Sequence, residues 1–245
     1  MSTNADGIFV AGTDTEIGKT AVAGGLAGTL KRRGVDVGAV KPVQTGCFDE
    51  DSEKIEPDAR FLRRAVGLEN GSEVCPFSLD PPLAPRVAAE IEDEILEYDD
   101  VLSAVERICA NYAFTVVEGI GGVRVPLAGD REVIDLMCDL GLPVLLVARP
   151  NLGTLNHTAL TIEAVERRGL DVVGIIMNKY PDEPGTAERT NPRVIEEMTG
   201  VEVVGRIPDV GVDTESGDTG EIVDAFEENV DVDTVLSSLS IQTVS

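Results

Sequence analysis

"GTDTEIGKT", residues 12–20, sets five residues, Thr13 to Ile17, between its first glycine and Gly18-Lys19-Thr20, where the usual phosphate-binding loop has four. The flanking sequence decides how it is read. An all-apolar run, "GIFVAG" (7–12), leads straight into Gly12, and a helical pattern opens at Lys19. A strand, loop and helix in that order line up backbone N–H groups and a helix N-terminus as donors for phosphate oxygens. In such a cradle Lys19 neutralises β/γ-phosphate charge and the Thr20 hydroxyl coordinates magnesium. A plain glycine turn with a surface lysine is the competing reading, and the strand–loop–helix setting weighs against it.

Outward from the loop, short apolar runs alternate with longer helical patterns. "VDVGAV" (35–40), "FTVVEG" (114–119), "LPVLLVA" (142–148), "LDVVGIIMN" (170–178) and "VEVVGRIP" (201–208) read as further strands. Most are apolar throughout, as parallel strands covered by helices on both faces must be. Helical spacing is found over 19–33, 57–66, 99–111, 133–140, 156–168 and 191–198. The pattern predicts an α/β fold with a doubly wound, mostly parallel sheet, in one domain spanning residues 1–245. Residues 46–56, polar and acidic, suit a mobile loop near the site. Residues 209–220, rich in Gly and Asp, suit an exposed loop before a C-terminal helix.

Composition narrows the partners. The chain carries 45 acidic against 20 basic residues, a formal charge of −25, and only five lysines. Backbone phosphates would be repelled, which argues against nucleic acid or an anionic membrane as partner. Apolar content is nonetheless 42%, so the acid excess coats an ordinary core and does not mark disorder. This composition resembles that of proteins from salt-loving microbes, and carboxylate self-repulsion predicts stability that rises with salt. Cys47, Cys75, Cys109 and Cys138 are scattered without a C-x-x-C pair, as expected of reduced cysteines in a cytoplasmic protein. "MSTNAD" lacks the basic and apolar features of a signal sequence, and the apolar run 142–148 is too short for a membrane span; a soluble, cytoplasmic protein is expected.

Two further strand ends carry candidate chemistry. Glu118 ends "FTVVEG", where a second oxygen ligand for loop-bound magnesium belongs, although a glutamate there also fits the start of a turn. Gly119, Gly121 and Gly122 after it let backbone approach a ligand closely. Lys41 follows "VDVGAV" at the strand edge where open α/β sheets bind ligands; it reads as an active-site cation or a solvated lysine. His157 is the only histidine, which excludes a His-based triad or a histidine metal cluster; packing at a helix start is the expectation for it.

Together, "GTDTEIGKT", "KPVQTG", "PPLAPRVAAE", "VVEGIGGVRVPL", "LPVLLVARPNLGTLNHTALT" and "GIIMNK", spread between Gly7 and about Pro208, resemble dethiobiotin synthetase. In that family the longer loop spacing is normal. The resemblance implies a P-loop NTPase-like fold of the SIMIBI type and an ATP- and magnesium-dependent ring closure in biotin synthesis. In it 7,8-diaminononanoate takes up carbon dioxide (from bicarbonate) as a carbamate, the carbamate attacks the ATP γ-phosphate, and the second amine closes the urea. It implies that Glu16, Ile17, Gly18, Lys19, Thr20 and Ala21, running on to Val22, wrap the phosphates. Gly119, Ile120, Gly121, Asn178, Lys179 and Pro208 would complete the nucleotide site. Thr20, Asp58 and Glu118 would hold magnesium; Asp58 also fits a helix cap. Lys41, with Lys19, would be catalytic, and Thr45 would meet the substrate through its hydroxyl. Leu152, Gly153, Thr154 and Asn156, at a helix start contributed by a partner subunit, would hold the substrate carboxylate, which implies a homodimer. Ile120 stands where alanine is common.

Three rivals have sequence discriminators. Cobyrinate amidotransferases need a glutaminase domain for which 245 residues leave no space, and partition-type ATPases carry an extra lysine early in the loop, absent from Thr13 to Glu16. A noncatalytic nucleotide-sensing module would keep "GKT" and lose Lys41, Thr45 and "LGTLNHT", all present here.

Overall fold

A computed structural model describes residues 6–50, 53–68, 73–211 and 219–239. The central sheet has six strands: β1 (Gly7–Gly12), β2 (Val37–Val40), β7 (Phe114–Glu118), β10 (Val144–Ala148), β11 (Val172–Tyr180) and β12 (Val203–Pro208). All pair in parallel, in the order β12-β11-β10-β1-β7-β2. The chain runs from β1 to the far edge at β2, returns to β7 beside β1, and then works outward through β10, β11 and β12 on the other side. That topology brings the C-terminal ends of all six strands to one edge.

Helices cover both faces. On one lie α1 (Lys19–Arg32), α2 (Pro57–Ala65), α8 (Thr219–Asn229) and α9 (Val232–Ser238); on the other α4 (Tyr98–Cys109), α5 (Val133–Leu140), α6 (Thr154–Glu166) and α7 (Thr186–Thr199). Strand β1 shows the division residue by residue: Ile8 and Val10 join the first core, Phe9 and Ala11 the second, and all are buried. This is the period-two alternation of a strand, here apolar on both sides.

Glycines inside α1 run against helix propensity, and packing explains them. A Cβ at Gly24 would come within 2.3 Å of the Phe61 ring, and one at Gly28 within 2.3 Å of Val223. The helix is thinned so that α2 and α8 can lie against it, and those contacts hold the base of the phosphate loop.

Several expectations change. The stretch 46–56, read as a mobile loop, contains a short antiparallel pair, β4 (Phe48–Glu50) and β5 (Glu53–Ile55); residues this short and polar carry no usable periodicity. Helix α7 begins five residues before the expected 191, with Pro192 inside it; the proline removes a helical hydrogen bond to the Glu188 carbonyl, which accepts the Tyr180 hydroxyl at 2.8 Å instead. Small elements escape the pattern altogether: β3 (Val43–Thr45) paired with β6 (Phe77–Leu79), α3 (Pro85–Ile91), and β8 (Pro126–Ala128) paired with β9 (Arg131–Glu132). Of the expected loop 209–220, residues 212–218 lie outside the described residues, and α8 starts at Thr219. Among the described residues no helix is long and apolar enough to cross a membrane.

Candidate active site

Between β1 and α1 the backbone must turn sharply to aim its amides inward. Gly18 makes that turn, with φ of 86° at the helix start, and Glu16 is also left-handed at φ 57°. Lys19 and Thr20 then open α1, both nearly buried. The Lys19 ammonium donates to the carbonyl of Asp14 at 2.8 Å, closing the loop on itself. Burial, followed by repulsion from Lys41, lowers the Lys19 pKa to about 8.

A second set of groups stands at the ends of β2 and β7. The Lys41 ammonium lies 2.6 Å from Glu118 Oε1 and 2.8 Å from Asp58 Oδ2, and it donates to the Gly119 carbonyl at 3.3 Å. The Thr20 hydroxyl donates to the same Glu118 Oε1 at 2.8 Å. Lys41 and Glu118 are almost fully buried, at 3% and 1% exposure. Burial pulls the Lys41 pKa down, but Asp58 and Glu118 outweigh it and leave the ammonium above its ordinary range. Burial also pushes the Glu118 carboxyl up, and Lys41 does not cancel that. For Asp58 the order of winning effects reverses: burial raises it, while the charge and hydrogen bond of Lys41, helped by Thr20, hold it below the ordinary range.

Asp58 is thereby corrected as a helix cap. It sits in the first turn of α2, after Pro57, and the residue in the capping position, Glu56, makes no side-chain cap bond. Its carboxylate is turned to Lys41 instead.

Magnesium suits these donors. Thr20, Asp58 and Glu118 offer hard oxygens, and Glu118 Oε2 is buried without a hydrogen-bond partner, so the carboxylate has acceptor capacity that its present neighbours leave unused. Among the described residues there is no cluster of three or more His, Cys, Asp or Glu able to hold a metal. Two carboxylates and a hydroxyl match the sparse protein ligation of a magnesium ion that keeps waters and phosphate oxygens.

These groups face a cleft of about 740 Å³, which Glu16, Gly18, Ala21, Thr45, Ile120, Gly121, Lys179 and Pro208 also line. Beside the loop Asn178 donates its side-chain amide to the Ile17 carbonyl at 2.9 Å, and Lys179 Nζ lies 3.3 Å from the Glu16 carbonyl. Ile17 itself turns its side chain into the core, and Gly119 meets the site through its carbonyl.

The comparisons with known proteins agree with this arrangement. A family model described as an AAA domain matches residues 6–215. The chain is 47% identical over 194 residues to the ATP-dependent dethiobiotin synthetase BioD of Haloferax mediterranei, covering 79% of this chain and 80% of that one. It is 38% identical over 234 residues to the enzyme of the same name from Bacillus licheniformis, covering 95% and 97%. The chain belongs to the ATP-dependent dethiobiotin synthetase family. Among solved structures it is similar to the septum site-determining protein MinD complexed with Mg-ADP from Pyrococcus horikoshii, with a TM-score of 0.55, 17% identity and coverage of 96% and 99%. A chain of the Aquifex aeolicus MinC:MinD cell division protein complex gives the same TM-score at 14% identity, covering 97% and 96%. At such identities the likeness is one of fold, and it is the P-loop NTPase fold.

Against that family background, the dethiobiotin synthetase motif "NLGTLNHT" stands apart from the cleft. Leu152, Gly153, Thr154 and Asn156 do not line it. Thr154 is buried against Thr158, while Leu152, Asn156 and His157 are exposed; His157 is thus corrected as a packing residue. Sequence reasoning also passed over groups that the fold delivers. Pro82, Leu83 and Ala84 line the cleft, and "PPLAPRVAAE" was their only signal. Ile222 and Ala225 reach it from α8 with no local motif at all. Arg149, just past β10, pairs with the Asp14 carboxylate beside the loop, a contact no spacing rule anticipates.

Proposed function

We propose that this chain closes the ureido ring of dethiobiotin from 7,8-diaminononanoate and carbon dioxide, converting ATP to ADP and phosphate. The observation that carries the reading is convergence: Lys19, Thr20, Lys41, Asp58 and Glu118, from four separate elements, meet in one cleft at the strand ends.

The chemistry needs cations and oriented N–H donors more than it needs a nucleophile. Negative charge develops on the carbamate oxygen that attacks the γ-phosphorus and on the phosphoryl group in transfer. The loop amides from Glu16 to Ala21 bind the phosphates, and Lys19 exchanges its Asp14 carbonyl for a phosphate oxygen. Lys41 stabilises the carbamate and the carbamic-phosphoric anhydride that follows. The second amine attacks the anhydride carbonyl carbon, the C–O bond to phosphate breaks, and the cyclic urea is released. Thr20, Asp58 and Glu118 hold magnesium, which supplies charge neutralisation on the nucleotide phosphates when bound. Thr45 orients the substrate, while Asn178, Lys179, Ile120 and Pro208 surround the nucleotide.

The carboxylate of the diamine binds at Leu152, Gly153, Thr154 and Asn156 of a partner subunit in a homodimer. Supporting this, Leu152 is 89% exposed and Leu160 56%, with Asn156 between them. Leu152 just before α6 and Leu160 midway along it, both this bare, suit a covered face. Four cysteines outside any disulfide suit a reducing, cytoplasmic setting, and a single α/β domain carries the nucleotide side of the chemistry in each protomer.

The test supplies diaminononanoate, bicarbonate and Mg-ATP to the purified protein. Diamine-dependent release of ADP and orthophosphate, with the cyclic urea found by mass, is expected. ATP binding without diamine-dependent phosphate release would favour the noncatalytic nucleotide-sensing module.

A further inference from the structure

We propose that the Lys41 ammonium is the resident counter-ion of the metal site, and that a divalent cation and Lys41 occupy the Asp58–Glu118 carboxylate pair in exchange. The inference rests on the reading of Thr20, Asp58 and Glu118 as the metal-holding groups and adds a consequence of it for the lysine.

The geometry carries the argument. All three groups converge on one place: Glu118 Oε1 takes a hydrogen bond from Thr20 at 2.8 Å and from Lys41 at 2.6 Å, and Asp58 Oδ2 is 2.8 Å from the same lysine nitrogen. The other oxygen of Glu118 is buried without a hydrogen-bond partner, and an ion held jointly by Glu118 and Asp58 must take the position between them that Lys41 now fills. A magnesium ion stands about 2.0–2.1 Å from its oxygens. On Glu118 and Asp58 it would lie within about 4 Å of the ammonium, close enough for strong repulsion beside the buried Glu118 carboxylate. One cation at a time satisfies that pair.

The reason for a resident lysine follows from burial. Two carboxylates brought together, with Glu118 almost fully buried and Asp58 partly so, are costly without a cation between them. Lys41, at 3% exposure, fills that role. Arrival of the metal with its nucleotide then supplies a stronger counter-ion and frees the ammonium toward the cleft that Thr45 also lines. The catalytic cation becomes available when the phosphate it must serve is already bound.

Manganese binding followed by electron paramagnetic resonance tests this without any turnover. In the absence of nucleotide, Lys41→Gln should bind Mn2+ roughly tenfold more tightly than the wild type or better, because the competing charge is gone. Equal or weaker binding overturns the exchange. Glu118→Gln, measured with a nonhydrolysable ATP analogue, separates the two layers of the argument. If it holds Mn2+ as the wild type does, the metal-site reading itself fails; if it loses Mn2+ while Lys41→Gln gains nothing, only the exchange fails. Should Lys41→Gln not fold, a wild-type crystal holding Mn2+ and the analogue decides. Lys41 Nζ more than about 4 Å from both carboxylates, outside ion-pair contact, is expected, and an ammonium still seated on both refutes the proposal.

Discussion

The side-chain amide of Asn178 donates to the carbonyl of Ile17 at 2.9 Å, across 161 residues of sequence. The end of β11 is thereby fastened to the phosphate loop, and Gly18 is what permits it. A Cβ there would stand 2.0 Å from Asn178 Nδ2, and the φ of 86° disfavours any side chain. The backbone strain alone is about 1–2 kcal/mol. Gly18→Ala should weaken ATP binding about tenfold or more while circular dichroism shows an intact fold. Calorimetry giving wild-type affinity would contradict this coupling.

Lys19 should make nucleotide binding pH-dependent. Its pKa near 8 in the folded chain lies below the ordinary 10.5. Between those values the unfolded chain keeps a proton that the folded chain has lost, so stability rises with pH through that window. Below it, the charged Lys19 costs on the order of 3 kcal/mol. Phosphate oxygens favour the ammonium and reverse the sign. Binding of Mg-ATP at about pH 8.5 should therefore take up protons, seen as a heat that varies with buffer ionisation, and Lys19→Met should abolish the uptake. A buffer-independent heat in the wild type would count against it.

Lys41→Ala should reduce kcat by ~10²-fold or more at saturating substrates if its charge acts on the transition state. Steady-state kinetics at several diamine concentrations measure this. Retention of wild-type kcat would remove Lys41 from catalysis.

Leu152→Asp combined with Leu160→Asp should convert a dimer to monomer in sedimentation and raise KM for the diamine, leaving ATP affinity within about twofold, since the nucleotide groups all come from one chain. A fully active monomer rejects the shared site.

Salt should stabilise the fold. With a formal charge of −25, carboxylate repulsion at low ionic strength is screened in molar potassium chloride, and Tm should rise by roughly 5 °C or more. The exposed pairs Arg32–Asp224 and Arg107–Glu73 weaken as salt rises, yet solvent-exposed pairs of this kind add little to stability. A Tm that is flat or falling would show that the acid coat needs no screening.

What could be read from sequence were the features written in short-range pattern. The six sheet strands announced themselves because residues buried on both faces form mostly apolar runs, and the phosphate loop because its chemistry lies within nine consecutive residues. Glu118 and Lys41 could be singled out as polar residues closing apolar strands. Pairing, register and convergence had no such local sign. That Asp58 faces Lys41 and does not cap its helix, that Asn178 ties to Ile17, and that α8 closes the cleft all follow from contacts between segments far apart in the chain. Those contacts exist only after the parallel sheet has gathered its strand ends on one edge, because burial of both sheet faces, and no single stretch of residues, sets where that edge lies.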